Sequence, residues 1–146
     1  MKKIKLVVVG KLKEKFFSDA CNEYLKRLSR YADVSVCELK DRPDGITVES
    51  SDILDNVKGY IYLCDIGGNE PSSEQFSAML SSAMQESDTV TFVIGGSCGV
   101  DDRVRAKANK RISFGKMTYP HMLMRVILLE QIYRAFTIKD GLPYHK

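Results

Sequence analysis

Apolar and polar positions alternate along this chain with two different periods, and the switches between them mark its elements. Ile4 to Val9 is an unbroken apolar run ending at Gly10, the pattern of a strand buried on both faces. Phe16, Phe17, Ala20, Cys21, Tyr24, Leu25 and Leu28 then recur at helical spacing, with Lys26, Arg27 and Arg30 on or near the opposite face. This predicts an amphipathic helix. Val34, Val36 and Leu39 alternate with polar neighbours as a strand would. Lys40 to Asp55 is polar, contains Pro43 and Gly45, and reads as a loop holding one helical turn. Tyr60 to Cys64 is a further strand, and Asp65 to Pro71 reads as a turn-rich break.

Ser72 opens the next helix as N-cap, with Gln75 three residues on as its capping-box partner. Phe76, Met79, Leu80, Ala83 and Met84 form the buried stripe. Thr89 to Ile94 is a strand that ends in Gly95-Gly96. Asp101 and Asp102 cap a short basic helix with Arg103, Arg105, Lys107 and Lys110, and Ile112 to Phe114 is a short strand. Pro120 precedes a long helix from His121 to Phe136, and Thr137 to Lys146 is a polar tail. Strands alternating with helices predict an α/β fold with a mainly parallel sheet and helices on both faces. No linker, repeat or low-complexity segment interrupts the pattern, so residues 1–146 read as one domain.

Composition adds a few constraints. The hydrophobic share of 44% and charged share of 28% are those of a folded soluble chain. No apolar run approaches the ~20 residues that span a bilayer, and the run after Met1-Lys2-Lys3 is too short for a secretion signal. A membrane role is therefore not expected. Cys21, Cys37, Cys64 and Cys98 are widely spaced and form no C-x-x-C pair, so no metal is expected. Cys37 and Cys64 read as small buried hydrophobes, and the thiols as reduced, in a cytoplasmic setting. The net charge of +3 is unevenly spread: Asp101 to Lys146 holds ten Lys and Arg against four Asp and Glu, and the first fifteen residues hold six lysines against one glutamate. Basic ends suit a phosphate backbone, and equally suit ordinary solvated lysines.

In an open parallel sheet, ligands bind outside the carboxyl ends of the strands. Three such ends are rich in glycine or turn residues: Leu63 to Gly68, Ile94 to Gly99, and Phe114 to His121. None is a dinucleotide fingerprint or a phosphate-cradling P-loop. The long helix carries Met122, Leu123, Met124, Val126, Ile127, Leu128, Leu129, Ile132 and Tyr133, which cover more than one face. A subunit interface as well as a core follows from that. Arg125 and Arg134, among these neighbours, need an acidic group, a phosphate or a base as partner. No Ser-His-Asp order, H-E-x-x-H or carboxylate pair favours a hydrolase.

Two motifs stand out: Phe92-Val93-Ile94-Gly95-Gly96-Ser97 with Gly99, and Ser113-Phe114-Gly115-Lys116-Met117-Thr118-Tyr119-Pro120-His121. Arg125-Val126, Glu130 to Phe136, the closing Pro143-Tyr144-His145-Lys146, and Val9 to Lys13 with Tyr24 and Arg27 extend the set nearly end to end. Together they resemble the ribosomal RNA large subunit methyltransferase H family of the SPOUT superfamily. The resemblance implies an α/β knot, a C-terminal trefoil. It also implies S-adenosyl-L-methionine as cofactor, a homodimer, and methylation at N3 of a pseudouridine in 23S rRNA of the assembled ribosome. By position it assigns cofactor contacts to Leu63, Gly95, Phe114, Gly115, Lys116, Met117, Thr118 and Tyr119. It leaves the chemistry to His121, Arg125, Arg134, Tyr144 and His145, foremost His121, Arg134, Tyr144 and His145, with the tail closing over the base from its own or the partner subunit. Two departures stand out: Gly115 where relatives usually have serine, and a short run from Glu49 to Val57 where most have a longer segment. A non-catalytic RNA-binding module, a flavodoxin-like or dinucleotide enzyme, and a sister enzyme acting on tRNA are the other readings.

Overall fold

A computed structural model describes residues 1–146. Its centre is a five-stranded, wholly parallel sheet in the order β2-β1-β4-β3-β5. The strands are β1 (Lys3–Val9), β2 (Asp33–Leu39), β3 (Tyr60–Asn69), β4 (Thr89–Ile94) and β5 (Lys110–Ile112). The helices are α1 (Lys15–Leu28), α2 (Ile46–Leu54), α3 (Ser73–Glu86), α4 (Asp102–Lys107) and α5 (His121–Lys139). Alternate residues of β1 feed two cores. Ile4, Leu6 and Val8 join the larger one with residues of α1, α3 and α5; Val7 and Val9 join the smaller one with Ile53 of α2 and Val104 of α4. Helices thus cover both faces, and β4, buried at every position, runs through the middle.

The ends of the helices follow local chemistry. Ser72 accepts from the Gln75 N–H at 3.1 Å, and the Gln75 side chain accepts from the Ser72 N–H at 2.8 Å, closing the capping box. Asp101 caps α4 by accepting from the Arg103 N–H at 3.0 Å.

Five expectations need correction. The long helix continues to Lys139, three residues into the segment read as a polar tail, because Thr137 is fully buried against the core. The segment read as a loop with one turn contains a nine-residue helix, α2. Its β-branched and serine-rich sequence is a poor helix former, but Ile53 is fully buried and Arg103 reaches in to bond Thr47 O and Ser51 Oγ. The break read at Asp65 to Pro71 is the continuation of β3 to Asn69, with a bulge where it pairs β5. Gly68 permits this, because a Cβ there would sit 2.6 Å from the Arg111 backbone. The last strand lies at Lys110–Ile112, two residues before the position expected. Cys37 and Cys64 are only half-buried as whole residues, although the Cys64 thiol itself is enclosed.

Candidate functional site

The carboxyl ends of β3, β4 and β5 open into a cavity of about 660 Å3, a volume ordinary for a drug-sized ligand. Two loops frame it: Gly95 to Val100 after β4, and Ser113 to Pro120 between β5 and α5. Cys64, Asp65 and Ile66 form the β3 side, and His121 and Met124 of α5 close the back. The wall is mixed in character, with apolar side chains interleaved with backbone that can hydrogen-bond.

The glycine loop owes its shape to what lies behind it. A Cβ on Gly95 would stand 2.9 Å from Val100 Cγ1 and 3.0 Å from Gly99 O, so only glycine lets the loop fold back this closely. The turn closes as Gly99 N–H donates to Gly96 O at 3.0 Å. From outside, α2 braces the loop. The buried Glu49 carboxylate lies 3.1 Å from where a Gly96 Cβ would be and accepts from the Arg42 N–H at 2.9 Å. Ser50 Oγ accepts from the Asp101 N–H at 3.0 Å. Sequence reasoning missed both residues, since they sit in the segment read as a loop.

Of the residues singled out as cofactor contacts, Gly95, Phe114, Gly115, Met117, Thr118 and Tyr119 line the cavity. Leu63 and Lys116 do not: Leu63 is fully buried in the smaller core, and Lys116 is exposed outside the lining. Leu63 is the last core residue before Cys64 and Asp65, which do line the cavity. Burial pushes the Cys64 thiol up to about 12, so it stays protonated at neutral pH. At the base of the cavity, His121 keeps its Nε2 buried without a hydrogen-bond partner. That atom faces Gly10, whose φ of +105° and missing side chain leave room for it; a Cβ on Gly10 would stand 3.2 Å away.

Arg125 finds the partner it needs within the chain. It is 2% exposed, donates to Glu38 Oε2 at 2.5 Å, and donates to Gly10 O at 3.0 Å. The guanidinium therefore locks α5 to the ends of β1 and β2 behind His121, and it lies outside the cavity lining.

The other singled-out residues gather elsewhere. Arg134 donates to Glu130 Oε2 at 2.6 Å, and the Tyr144 hydroxyl donates to the same oxygen at 2.7 Å. Arg134 also donates to His145 Nδ1 at 3.0 Å, which leaves the ring proton on Nε2, facing the Glu74 carboxylate. Tyr144 packs edge-on against Tyr133, with Arg134 over its ring. Burial, then the bond to Glu130, pushes the Tyr144 hydroxyl well above the usual phenol value. The bond to Glu130 likewise raises Arg134. The tail is thus fastened to α3 and α5, and none of Arg134, Tyr144 and His145 lines the cavity. Nowhere do three or more His, Cys, Asp or Glu side chains converge as metal ligands, and no helix is long and apolar enough to cross a membrane.

A parallel sheet with a ligand-sized cavity at its carboxyl edge, walled by a glycine turn and a long loop, defines an α/β protein that binds a small molecule where three strands end. The comparisons narrow the class. Residues 1–145 match a family model described as "Predicted SPOUT methyltransferase". The chain is 48% identical to "Ribosomal RNA large subunit methyltransferase H" of Lactobacillus johnsonii, over 98% of this chain and 99% of that one. It is 43% identical to the protein of the same name in Enterococcus faecalis, over 99% of both. Both alignments run over 158 positions, so these relatives carry residues for which this 146-residue chain has no counterpart. Among solved structures, a probable methylase family protein from Haemophilus influenzae superposes with a TM-score of 0.59 at 8% identity, over 98% of this chain and 70% of that one, and shares the fold. The chain belongs to the SPOUT methyltransferase family.

Proposed function

We propose that this protein transfers a methyl group from S-adenosyl-L-methionine to N3 of a pseudouridine in 23S rRNA of the assembled ribosome, working as a homodimer in the cytoplasm. The observation that carries this reading is the cavity at the carboxyl edge in a chain of this family. Its size and its glycine-lined floor suit a ligand with an adenosine and an amino-acid end. The names of its relatives point to large-subunit rRNA.

The bound cofactor supplies an activated methyl group, which leaves the protein the task of alignment. Backbone groups of Gly95 to Gly99 and of Phe114 to Tyr119 hold it, with Met117, Thr118 and Tyr119 as the side chains at hand. Gly115 lacks a side chain, so its contact is through the backbone. Leu63 acts by fixing Cys64 and Asp65, and Lys116 acts from outside the cavity toward RNA. The imide nitrogen must lose a proton to react, and a neutral imidazole can accept one. His121 and His145 are the candidates, each once its ring is freed from its present contacts: His121 Nε2 is enclosed against Gly10, and His145 Nδ1 accepts from Arg134. Tyr144, with its hydroxyl held protonated, serves as a hydrogen-bond donor, and Arg134 stabilises charge developing on the base oxygens.

The tail acts on the partner's cavity. Two observations support that arrangement: the tail is fastened away from its own cavity, and α5 leaves Met122, Leu123, Val126 and Ile127 only half-buried, an apolar flank for a second copy. Labelled S-adenosylmethionine offered with assembled ribosomes, free tRNA and naked rRNA tests the function. Label in ribosomes alone supports it; label in tRNA alone would favour the sister enzyme. Mixing a chain truncated after Leu142 with a chain disabled in the cavity by Gly95→Val tests the tail. Activity regained in the mixture supports action across the interface, and none regained contradicts it.

A further inference from the structure

Beside the cavity runs a basic surface that the binding of a cofactor does not use. Residues 101 to 111 contain five Lys and Arg against two Asp. Arg103 pairs with Asp101, and Arg105 with Asp102 at 2.9 Å. Arg111 clasps Asp65 through Nε at 2.9 Å and Nη2 at 2.8 Å, and Arg105 Nε stands 3.6 Å from the same carboxylate. Asp65 and Arg105 line the cavity, so the two arginines are tethered at its mouth. Lys107 and Lys110 are exposed and make no ion pair, as is Lys116 on the loop across the opening. β5 is the edge strand of the sheet, so Lys110 and Arg111 lie on an open border with no further strand beyond.

We infer that this border, from Lys107 and Lys110 through Arg111 and Arg105 to the cavity mouth, is a track for the sugar-phosphate backbone of the RNA that delivers the target nucleotide. The assignment rests on the RNA-methylating function proposed above. Arg111, clasped by Asp65, and Arg105, bonded to Asp102 and close to Asp65, present oriented donors, whereas the free lysines present mobile charge, the mixture by which phosphates are gripped and steered. The acidic side chains nearby are engaged by the arginines, so the excess charge of the border resides on Lys107, Lys110 and Lys116. Those lysines lie outside the cavity lining, so their removal leaves the cofactor site intact.

The test uses the full-length protein with Lys107→Ala/Lys110→Ala. The control is Lys26→Ala/Lys139→Ala, which removes equal charge from α1 and α5. Binding to ribosomes is measured without turnover across a range of salt concentrations, together with KM and kcat for methyl transfer and the affinity for S-adenosylmethionine. Each lost phosphate contact makes the slope of log K against log salt shallower by about 0.7–0.9. The border variant should lose about twice that and raise KM for ribosomes, with kcat and cofactor affinity unchanged. The control should keep the wild-type slope. Equal slopes for the border variant and wild type would overturn the inference, and so would an equal loss in the control. Self-association of the border variant with an unchanged slope would also overturn it, and would mean that the charges only guard the edge strand. Because the slope needs no turnover, it still reports on the border if wild-type protein places no methyl group on ribosomes, an outcome that would refute the function and not the track.

Discussion

Replacing Glu38 by alanine should destabilise the protein more than replacing Arg125 by methionine, although the two side chains form one ion pair. Arg125 is 2% exposed, while the Glu38 side chain is 38% exposed. Glu38→Ala leaves a buried guanidinium with only Gly10 O at 3.0 Å and with Nε already lacking a partner. Loss of one partner from a fully buried pair costs about 3–5 kcal/mol; with one member half in solvent, about 2–3 kcal/mol is the reasonable figure. Arg125→Met removes the buried charge and its orphaned donor together. Glu38 can then turn to water, and the main loss is the bond to Gly10 O, about 1–2 kcal/mol. The double variant should cost about as much as Arg125→Met alone, giving a coupling of about 2–3 kcal/mol, the whole cost of Glu38→Ala. Urea unfolding at fixed protein concentration reads these values without screening the pair. An Arg125→Met variant less stable than Glu38→Ala, or a double variant equal to the sum of the singles, would refute the reasoning.

Other outcomes follow from the same structure. Glu49→Gln and Ser50→Ala, which loosen the brace behind the Gly95–Gly99 turn, should each weaken S-adenosylmethionine binding by about three- to tenfold, equivalent to the ~1 kcal/mol of one hydrogen bond; calorimetric titration checks this. Ser72→Ala should cost about 1 kcal/mol through loss of the capping box, seen as a lowered Tm. Burial holds the Cys64 thiol at about 12, above its value in the unfolded chain. Its contribution to stability is therefore complete below about pH 8.5 and is lost as pH rises toward 12. Cys64→Ser should flatten that alkaline decline in a pH series of urea midpoints. At pH 8, a thiol-alkylating reagent followed by peptide mass spectrometry should mark exposed Cys98 well before Cys64.

Much of the fold could be read along the chain because its elements obey period and punctuation. The apolar run of β1, the stripe of α1 and the Ser72–Gln75 box all lie where the pattern puts them. The failures share a cause. α2 is a helix only because Ile53 is buried and Arg103 binds its carbonyl and hydroxyl groups from α4, contacts made across more than fifty residues. Gly67 and Gly68 look like a turn, yet serve a bulged strand that hugs Arg111. At the site, the glycine turn and the loop from Phe114 to Tyr119 were visible as residue types suited to close ligand approach. What could not be read was geometry: that Arg125 is claimed by Glu38 and Gly10, that Leu63 sits under the cavity and not in its wall, and that the tail is pinned by Glu130 and Glu74.

The central claim is the site of methylation. Ribosomes from cells lacking this activity, treated with the protein and S-adenosylmethionine, would be digested and their large-subunit rRNA mapped by nucleoside mass spectrometry. The account predicts one new species, a pseudouridine heavier by a single N3 methyl group, absent when the chain ends at Leu142. A methyl group on any other nucleoside, or on none while the cofactor binds, would contradict it.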